Sequence, residues 1–127
     1  MMVPLLRIQS DRGPNELLEV GVSLISQTRN ITNSVIWLDF LQLEPVMERR
    51  KEKQLKLYFE DENGQVISNE VLLIADSENS ASDERVFTEK FVLLDQDYTS
   101  NTECYLVMQN NHDDTESKKE KFKIDLI

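Results

Sequence analysis

Ser34-Val35-Ile36-Trp37-Leu38-Asp39-Phe40-Leu41-Gln42-Leu43-Glu44 is the most apolar run in the chain, and Pro45 ends it. β-Branched and aromatic residues followed by a proline stop predict a strand rather than a helix. The run is apolar on both faces, which predicts a central strand whose outer face is covered by a neighbour or partner. Trp37 shares a face with Val35, Asp39, Leu41 and Leu43, and its size predicts a core anchor, with ligand stacking as the alternative. After the charged loop Glu48-Arg49-Arg50-Lys51-Glu52-Lys53, the segment Gln54-Leu55-Lys56-Leu57-Tyr58-Phe59-Glu60 alternates. Leu55, Leu57 and Phe59 fall on one face, as in a half-buried strand. Asn63-Gly64 is a hairpin signal, because both central residues of such a turn favour positive φ. Val66-Ile67 and residues 71–75 carry the return, broken by a bulge or bend at Ser68-Asn69-Glu70.

The rest of the chain has the same short-strand grammar. Residues 3–9 read as an edge strand, with Pro4 tolerated near its start, and residues 10–15 as a turn cluster. Residues 18–26 place Val20, Val22 and Leu24 on one face, and residues 27–33 form a polar connection. Residues 76–84 are an acidic loop, and residues 85–94 a strand with Phe87, Phe91 and Leu93 opposite Val86, Val92 and Leu94. A loop over 95–102 leads to a strand over 103–109, in which Cys104, Leu106 and Met108 oppose Tyr105 and Val107. A second loop over 110–117 precedes the last strand, 121–127, with Phe122, Ile124 and Leu126 inward. Seven or eight strands, turn signals every 8–15 residues and no helical period predict an all-β fold. The expected architecture is an immunoglobulin-like antiparallel β-sandwich, with a closed barrel as the alternative.

The 127 residues suffice for one domain, 1–127, with a single core. A net charge of −10 argues against direct nucleic-acid binding, which needs clustered positive charge, and serves solubility. The single cysteine, Cys104, forbids an internal disulfide and fits a reducing cytoplasm. Its apolar neighbours predict a buried small hydrophobe rather than a reactive thiol. The N-terminal Met1-Met2-Val3-Pro4-Leu5-Leu6 lacks the basic region and cleavage site of a signal peptide, and no run is long enough to span a bilayer. A cytoplasmic location away from membranes is expected, and the doubled methionine fits a piece of a longer chain.

The inventory is poor in catalytic groups. His112, in a polar loop beside Asp113 and Asp114, is the one histidine, which leaves no multi-ligand hydrolytic metal site and no Ser-His-Asp constellation. Three glycines are too few for a phosphate cradle. No enzyme activity and no cofactor are therefore expected. Calcium is an alternative, through Asp61 and Glu62 with Asp95 and Asp97, or through Asp76, Glu78 and Asp83, although no EF-hand pattern is present. Carbohydrate binding would need an exposed aromatic platform, whereas Tyr58, Phe59, Phe87, Phe91, Tyr98, Tyr105 and Phe122 mostly occupy strand positions that a core would use.

Strands that alternate up and down bring alternate loops to one end. The turn near Gly13, the basic loop, the acidic loop and the 110–117 loop would then lie together. Arg49, Arg50 and Lys51 would face Asp76, Glu78, Asp83 and Glu84 as a mixed-charge docking face. The plainer reading is loose surface ion pairing. Docking there should weaken as salt rises.

One further pattern is spread along the chain. Ser26-Gln27-Thr28-Arg29-Asn30-Ile31-Thr32 runs into a strand, and Leu41-Gln42-Leu43-Glu44-Pro45-Val46 follows. Then come Leu57-Tyr58-Phe59-Glu60-Asp61-Glu62-Asn63-Gly64-Gln65-Val66-Ile67-Ser68-Asn69-Glu70, Ile74-Ala75-Asp76-Ser77, Glu84-Arg85-Val86 and Tyr105-Leu106-Val107. In this order and spacing, and above all in Gln-x-Glu-Pro-Val followed by Gly-x-x-Ile-Ser-x-Glu, the chain resembles the C-terminal region of PglZ-type proteins. Those are alkaline-phosphatase-superfamily members of bacteriophage-exclusion (BREX) defence systems. The resemblance spans residues 3–127. It departs at Met47-Glu48-Arg49-Arg50, where a more polar, Ser- or Lys-containing turn is expected. It implies a non-catalytic β-domain that follows a metal-dependent phosphatase-like domain absent here, so no active-site residue carries over. The implied partners are that N-terminal phosphatase-like domain or other phage-defence proteins. The alternative is a free-standing ligand-binding module for calcium or carbohydrate.

Overall fold

The computed structural model describes residues 18–94, 102–113 and 115–126. The expected strand at 3–9, the turn at 10–15 and most of the 95–102 loop lie outside the described residues. Among the described residues ten strands follow in order: β1 (Leu18–Glu19), β2 (Val22–Leu24), β3 (Asn30–Ile31), β4 (Val35–Gln42), β5 (Arg50–Lys51), β6 (Lys53–Asp61), β7 (Val71–Ala75), β8 (Val86–Val92), β9 (Thr102–Asn110) and β10 (Ser117–Ile124). A 3-10 turn, Ser82–Arg85, leads into β8.

Two open sheets form an all-β sandwich. One has the order β2-β4-β8, the other β3-β10-β9-β6-β7, and β1 and β5 add a short parallel pair. The ladders are otherwise antiparallel, apart from a two-residue parallel contact between β3 and β10. Period-two alternation turns one face of each sheet inward. Leu38, Phe40 and Phe91 from the smaller sheet meet Leu55, Leu57, Phe59, Leu73, Cys104, Leu106, Phe122 and Ile124 from the larger in one buried cluster. Phe59 is its hinge point, edge-on to Phe91 across the sandwich (centroids 5.3 Å apart) and to Phe122 within its own sheet (5.2 Å). Such aromatic contacts add to the area term of burial.

The strand β4 is central in its sheet, as its apolarity predicts, but Trp37 is not a core anchor: it is 60% exposed. The reason is register. Ile36 and Phe40 lie opposite Phe91 and Phe87, so the phenylalanine-rich side turns in and the Trp37 side turns out. Three other expectations change. Residues 18–26 split at Val20-Gly21 into β1 and β2, which pair with different strands. The polar 27–33 connection contains β3, whose Ile31 is buried beside the last strand. That last strand begins four residues early, at Ser117, and its predicted inward Leu126 is exposed.

The β6 turn is a longer hairpin than a two-residue Asn-Gly loop. The Gly64 amide donates to Asp61 O (3.1 Å), and Gly64 takes φ of +83°, a region that favours glycine. The Asp61 carboxylate accepts from the amides of Asn63 and Gln65, which closes the turn from inside. The expected break at Ser68-Asn69-Glu70 is a change of sheet. Ser68 bridges to Leu93, the Leu94 amide donates to Ile67 O (2.8 Å), and the chain then returns to β6 as β7.

Candidate functional site

The loops that carry the predicted charges are tied together by two buried polar side chains. Gln42, fully buried at the end of β4, accepts from the Ser77 amide (3.0 Å) and donates to the carbonyls of Ser77 (2.8 Å) and Glu44 (2.7 Å). The Val46 amide also reaches Ser77 O (2.8 Å). Arg85, buried at the end of the 3-10 turn, donates to the carbonyls of Gln42 (2.8 Å), Leu43 (3.0 Å), Asn79 (2.9 Å) and Ser80 (2.9 Å). Its charge is met by four carbonyl dipoles, so it acts as a staple.

The basic loop and the acidic loop therefore lie side by side at one end of the sandwich. The 110–117 loop shares that end, since the Asn111 amide donates to Gln54 O (2.8 Å) and Lys53 pairs with Glu116 (3.2 Å). Arg50 turns back to Glu44 (3.8 Å) in its own loop, and Glu44 also accepts from the Gly21 amide (2.8 Å). Arg49, Lys51, Asp76, Glu78, Asp83 and Glu84 are exposed there. Beside them the exposed His112 ring meets Glu19 (3.2 Å), and Asn110 donates to the same carboxylate (2.7 Å). Burial pushes the Glu19 carboxyl up, but the hydrogen bonds from Asn110 and His112 and the nearby Lys53 and Lys51 outweigh it and hold it below its ordinary value.

The larger feature is one that sequence reasoning placed in the core. On the outer face of the β2-β4-β8 sheet, Val35 and Val92 lie directly opposite one another, as do Trp37 and Lys90. Val35, Trp37, Val86 and Val92 are all exposed. The Lys90 ammonium stands 5.7 Å from the Trp37 ring centre, and Asp39 accepts a 2.6 Å hydrogen bond from Thr88 next to it. The sequence signal was present in the two-sided apolarity of β4; what it could not say was which side faced out.

Among the described residues no three of His, Cys, Asp and Glu converge on a metal-sized site. Asp95 and Asp97, half of one calcium reading, and Tyr98 lie outside the described residues. Cys104 is buried between the sheets, and burial pushes its thiol up to about 12, so it stays protonated and unreactive in the fold.

No known family model matches the chain. A curated relative does: this chain is 40% identical to the alkaline phosphatase-like protein PglZ of Bacillus cereus (strain H3081.97). The match covers 99% of this chain and 15% of the relative. The chain corresponds to one region of a larger alkaline phosphatase-like protein. The motifs that carry the resemblance to PglZ-type proteins are those that hold the fold. Gln42 and Glu44 of Gln-x-Glu-Pro-Val tie the strand end to Ser77 and Gly21. Gly64 makes the hairpin turn, Ile67 is buried, and the Ser68 hydroxyl accepts from the Phe59 amide (2.9 Å).

Proposed function

We propose that this chain is a non-catalytic structural and protein-interaction domain at the C-terminal end of a PglZ-like phosphatase, and that the parent protein serves bacterial phage defence of the BREX type. The observation that carries the interaction role is the open apolar face around Trp37, where a lone sandwich would place polar side chains. The match to a small region of a much longer relative supports a domain that works as part of a larger polypeptide. The resemblance to PglZ-type proteins supports the defence role and a place in the bacterial cytoplasm. The partner is the parent's own phosphatase-like domain or another defence protein. Arg49, Arg50, Lys51, Asp76, Glu78, Asp83 and Glu84 form a second, mixed-charge contact whose hold weakens as salt rises.

The test is an immunoblot of the native host with an antibody raised against this domain. A band far heavier than 14.8 kDa is expected, with partners that co-purify and are released by Trp37→Glu in the parent protein. A band near 14.8 kDa overturns the reading.

A second reading draws on the same residue. An exposed tryptophan beside the Asp39–Thr88 pair is the aromatic platform that a carbohydrate-binding module requires. Trp37 is the one tryptophan in the chain, so its fluorescence reports that face directly. Saturable quenching by a gluco- or chito-oligosaccharide would move this reading to the front.

A further inference from the structure

The free edges of the two sheets are not protected alike. Next to its short contact with β3, the outer edge of β10 runs through Ser117-Lys118-Lys119-Glu120-Lys121, and lysines are a standard guard against unwanted strand pairing. The edge of β8 is covered at its end: the Val92 amide donates to the Asn69 side chain (2.7 Å), and the Asn69 amide to Val92 O (3.3 Å). Farther along β8, Glu89 lies on the inward face opposite Leu38, another known edge guard. The other edge strands, β2 and β3, are three and two residues long.

Among the described residues β7 has none of these devices along its own length; the ties of Ser77 to Gln42 and Val46 begin two residues past its end. The strand is Val71-Leu72-Leu73-Ile74-Ala75, with β6 on one side and, among the described residues, no strand on the other. Leu73 and Ala75 are buried, while Leu72 and Ile74 are 53% and 39% exposed. An apolar edge of this length is a template for an added strand, where main-chain hydrogen bonds give affinity and alternate side chains give selectivity.

The flanks decide what can pair there. Glu70 precedes the strand, and Asp76 and Glu78 follow it. A second copy docked antiparallel about Leu73 would set Glu70 against Asp76 at both ends, and a parallel copy would set each acid against itself. Like charges directly opposite oppose pairing. The basic residues of β6 nearest the edge, Lys53 and Lys56, pair with Ala75 and Leu72 from the far side and lie one strand further in. We propose that the β7 edge is a strand-addition site for an extended apolar segment of a partner protein that carries Lys or Arg at both ends. This rests on the reading of the chain as an interaction domain and names the edge and the chemistry of what it takes.

The test uses the 127-residue chain, labelled with nitrogen-15, and two synthetic peptides. Both contain Val-Thr-Val-Thr-Val; one has Lys at each end, the other Glu. The Lys-ended peptide is expected to shift the amide resonances of Val71–Ala75, to slow their hydrogen exchange and to bind at least tenfold more tightly than its Glu-ended twin. That difference should shrink as salt rises, and the double variant Glu70→Lys, Asp76→Lys should invert it. Equal binding of the two peptides, no shifts, shifts confined to the Trp37 face, or a dimer of the free chain paired through β7 would each overturn the proposal. None of these results depends on the size of the native protein, so the immunoblot and the peptide titration fail independently.

Discussion

The outer faces of the two sheets carry apolar residues at similar positions and treat them differently. Val107, on the outer face of β9, is 2% exposed; Val92, on the outer face of β8, is 40% exposed. Their neighbours explain the difference. Val107 lies between Tyr58 of β6 and Lys119 of β10. The Lys119 ammonium reaches across to Glu60 (2.6 Å), which lays its aliphatic stem over the sheet, and Lys121 reaches Glu103 (2.8 Å) on the same face. Val92 has only Val35 opposite it, and β2 reaches β4 at Phe40–Gln42 but not at Val35. Around β9 the larger sheet roofs its outer face with its own long side chains, and only at its β7 edge do Leu72 and Ile74 stay exposed. The smaller sheet has too few and too short neighbours to do so, and its face is left for something else.

The sharpest way to break this comparison is to place the same charge on both faces. Val107→Asp buries an unpaired carboxylate and is expected to cost about 3 kcal/mol or more, whereas Val92→Asp should stay within about 1 kcal/mol. Urea unfolding of the two variants measures the difference. Equal losses would mean that the smaller sheet's face is covered in solution.

A second substitution separates the faces from the loop end. Arg85→Met keeps the apolar stem of the side chain but strips four carbonyls of their donor. A loss of about 1–3 kcal/mol is expected. Local opening should precede global unfolding, with amide exchange accelerated at Val46 and Ser77 while β9 stays protected. Uniform acceleration would contradict a role confined to the loop staple.

Most of the strand plan is legible in the sequence because alternation is a local property. Leu55, Leu57 and Phe59, or Cys104, Leu106 and Met108, announce an inward face without reference to any neighbour. Trp37 was misplaced because β4 is apolar on both sides, and its orientation depends on the register with Phe87 and Phe91, which are some fifty residues away in sequence. β3 and β5 were missed because two-residue strands have no period to detect. The charged loops could be brought to one end by counting strands. The buried Gln42 and Arg85 that fasten them could not be found that way, since neither residue type signals burial. The place of β7 at an edge, among the described residues, was equally hidden, because Val-Leu-Leu-Ile-Ala reads the same in a central strand as at an edge.

A third prediction concerns the inward carboxylate of β8. Burial raises the Glu89 carboxyl above its ordinary value. The folded state therefore binds this proton more tightly than the unfolded chain, and ionisation of Glu89 opposes folding. That opposition is absent below the unfolded value and complete above the folded one. Glu89→Gln should raise Tm at pH 7, and the gain should fade as pH drops through the carboxylate range. The price of the variant is a less protected β8 edge, which should show as slow self-association at high concentration. A gain that persists unchanged at pH 3 would mean that the effect is packing rather than charge.

The smallest stability effect is expected at the largest exposed side chain. Trp37→Ser removes an indole that touches solvent on one side and Lys90 on the other, and an exposed cation–π contact is worth about 0.5–1 kcal/mol. The midpoint of urea unfolding should therefore move little, while Phe59→Ala, at the centre of the same sandwich, should cost about 3–5 kcal/mol. The native emission of Trp37 should already be that of a solvated indole and should be quenched by acrylamide without denaturant. If instead the emission is blue-shifted and Trp37→Ser is as damaging as Phe59→Ala, the outer face of β4 is buried in solution and its register is not the one described. If stability is kept while co-purifying proteins are lost, the face is open because binding requires it: a side chain that contributes almost nothing to folding is then retained for what it contacts.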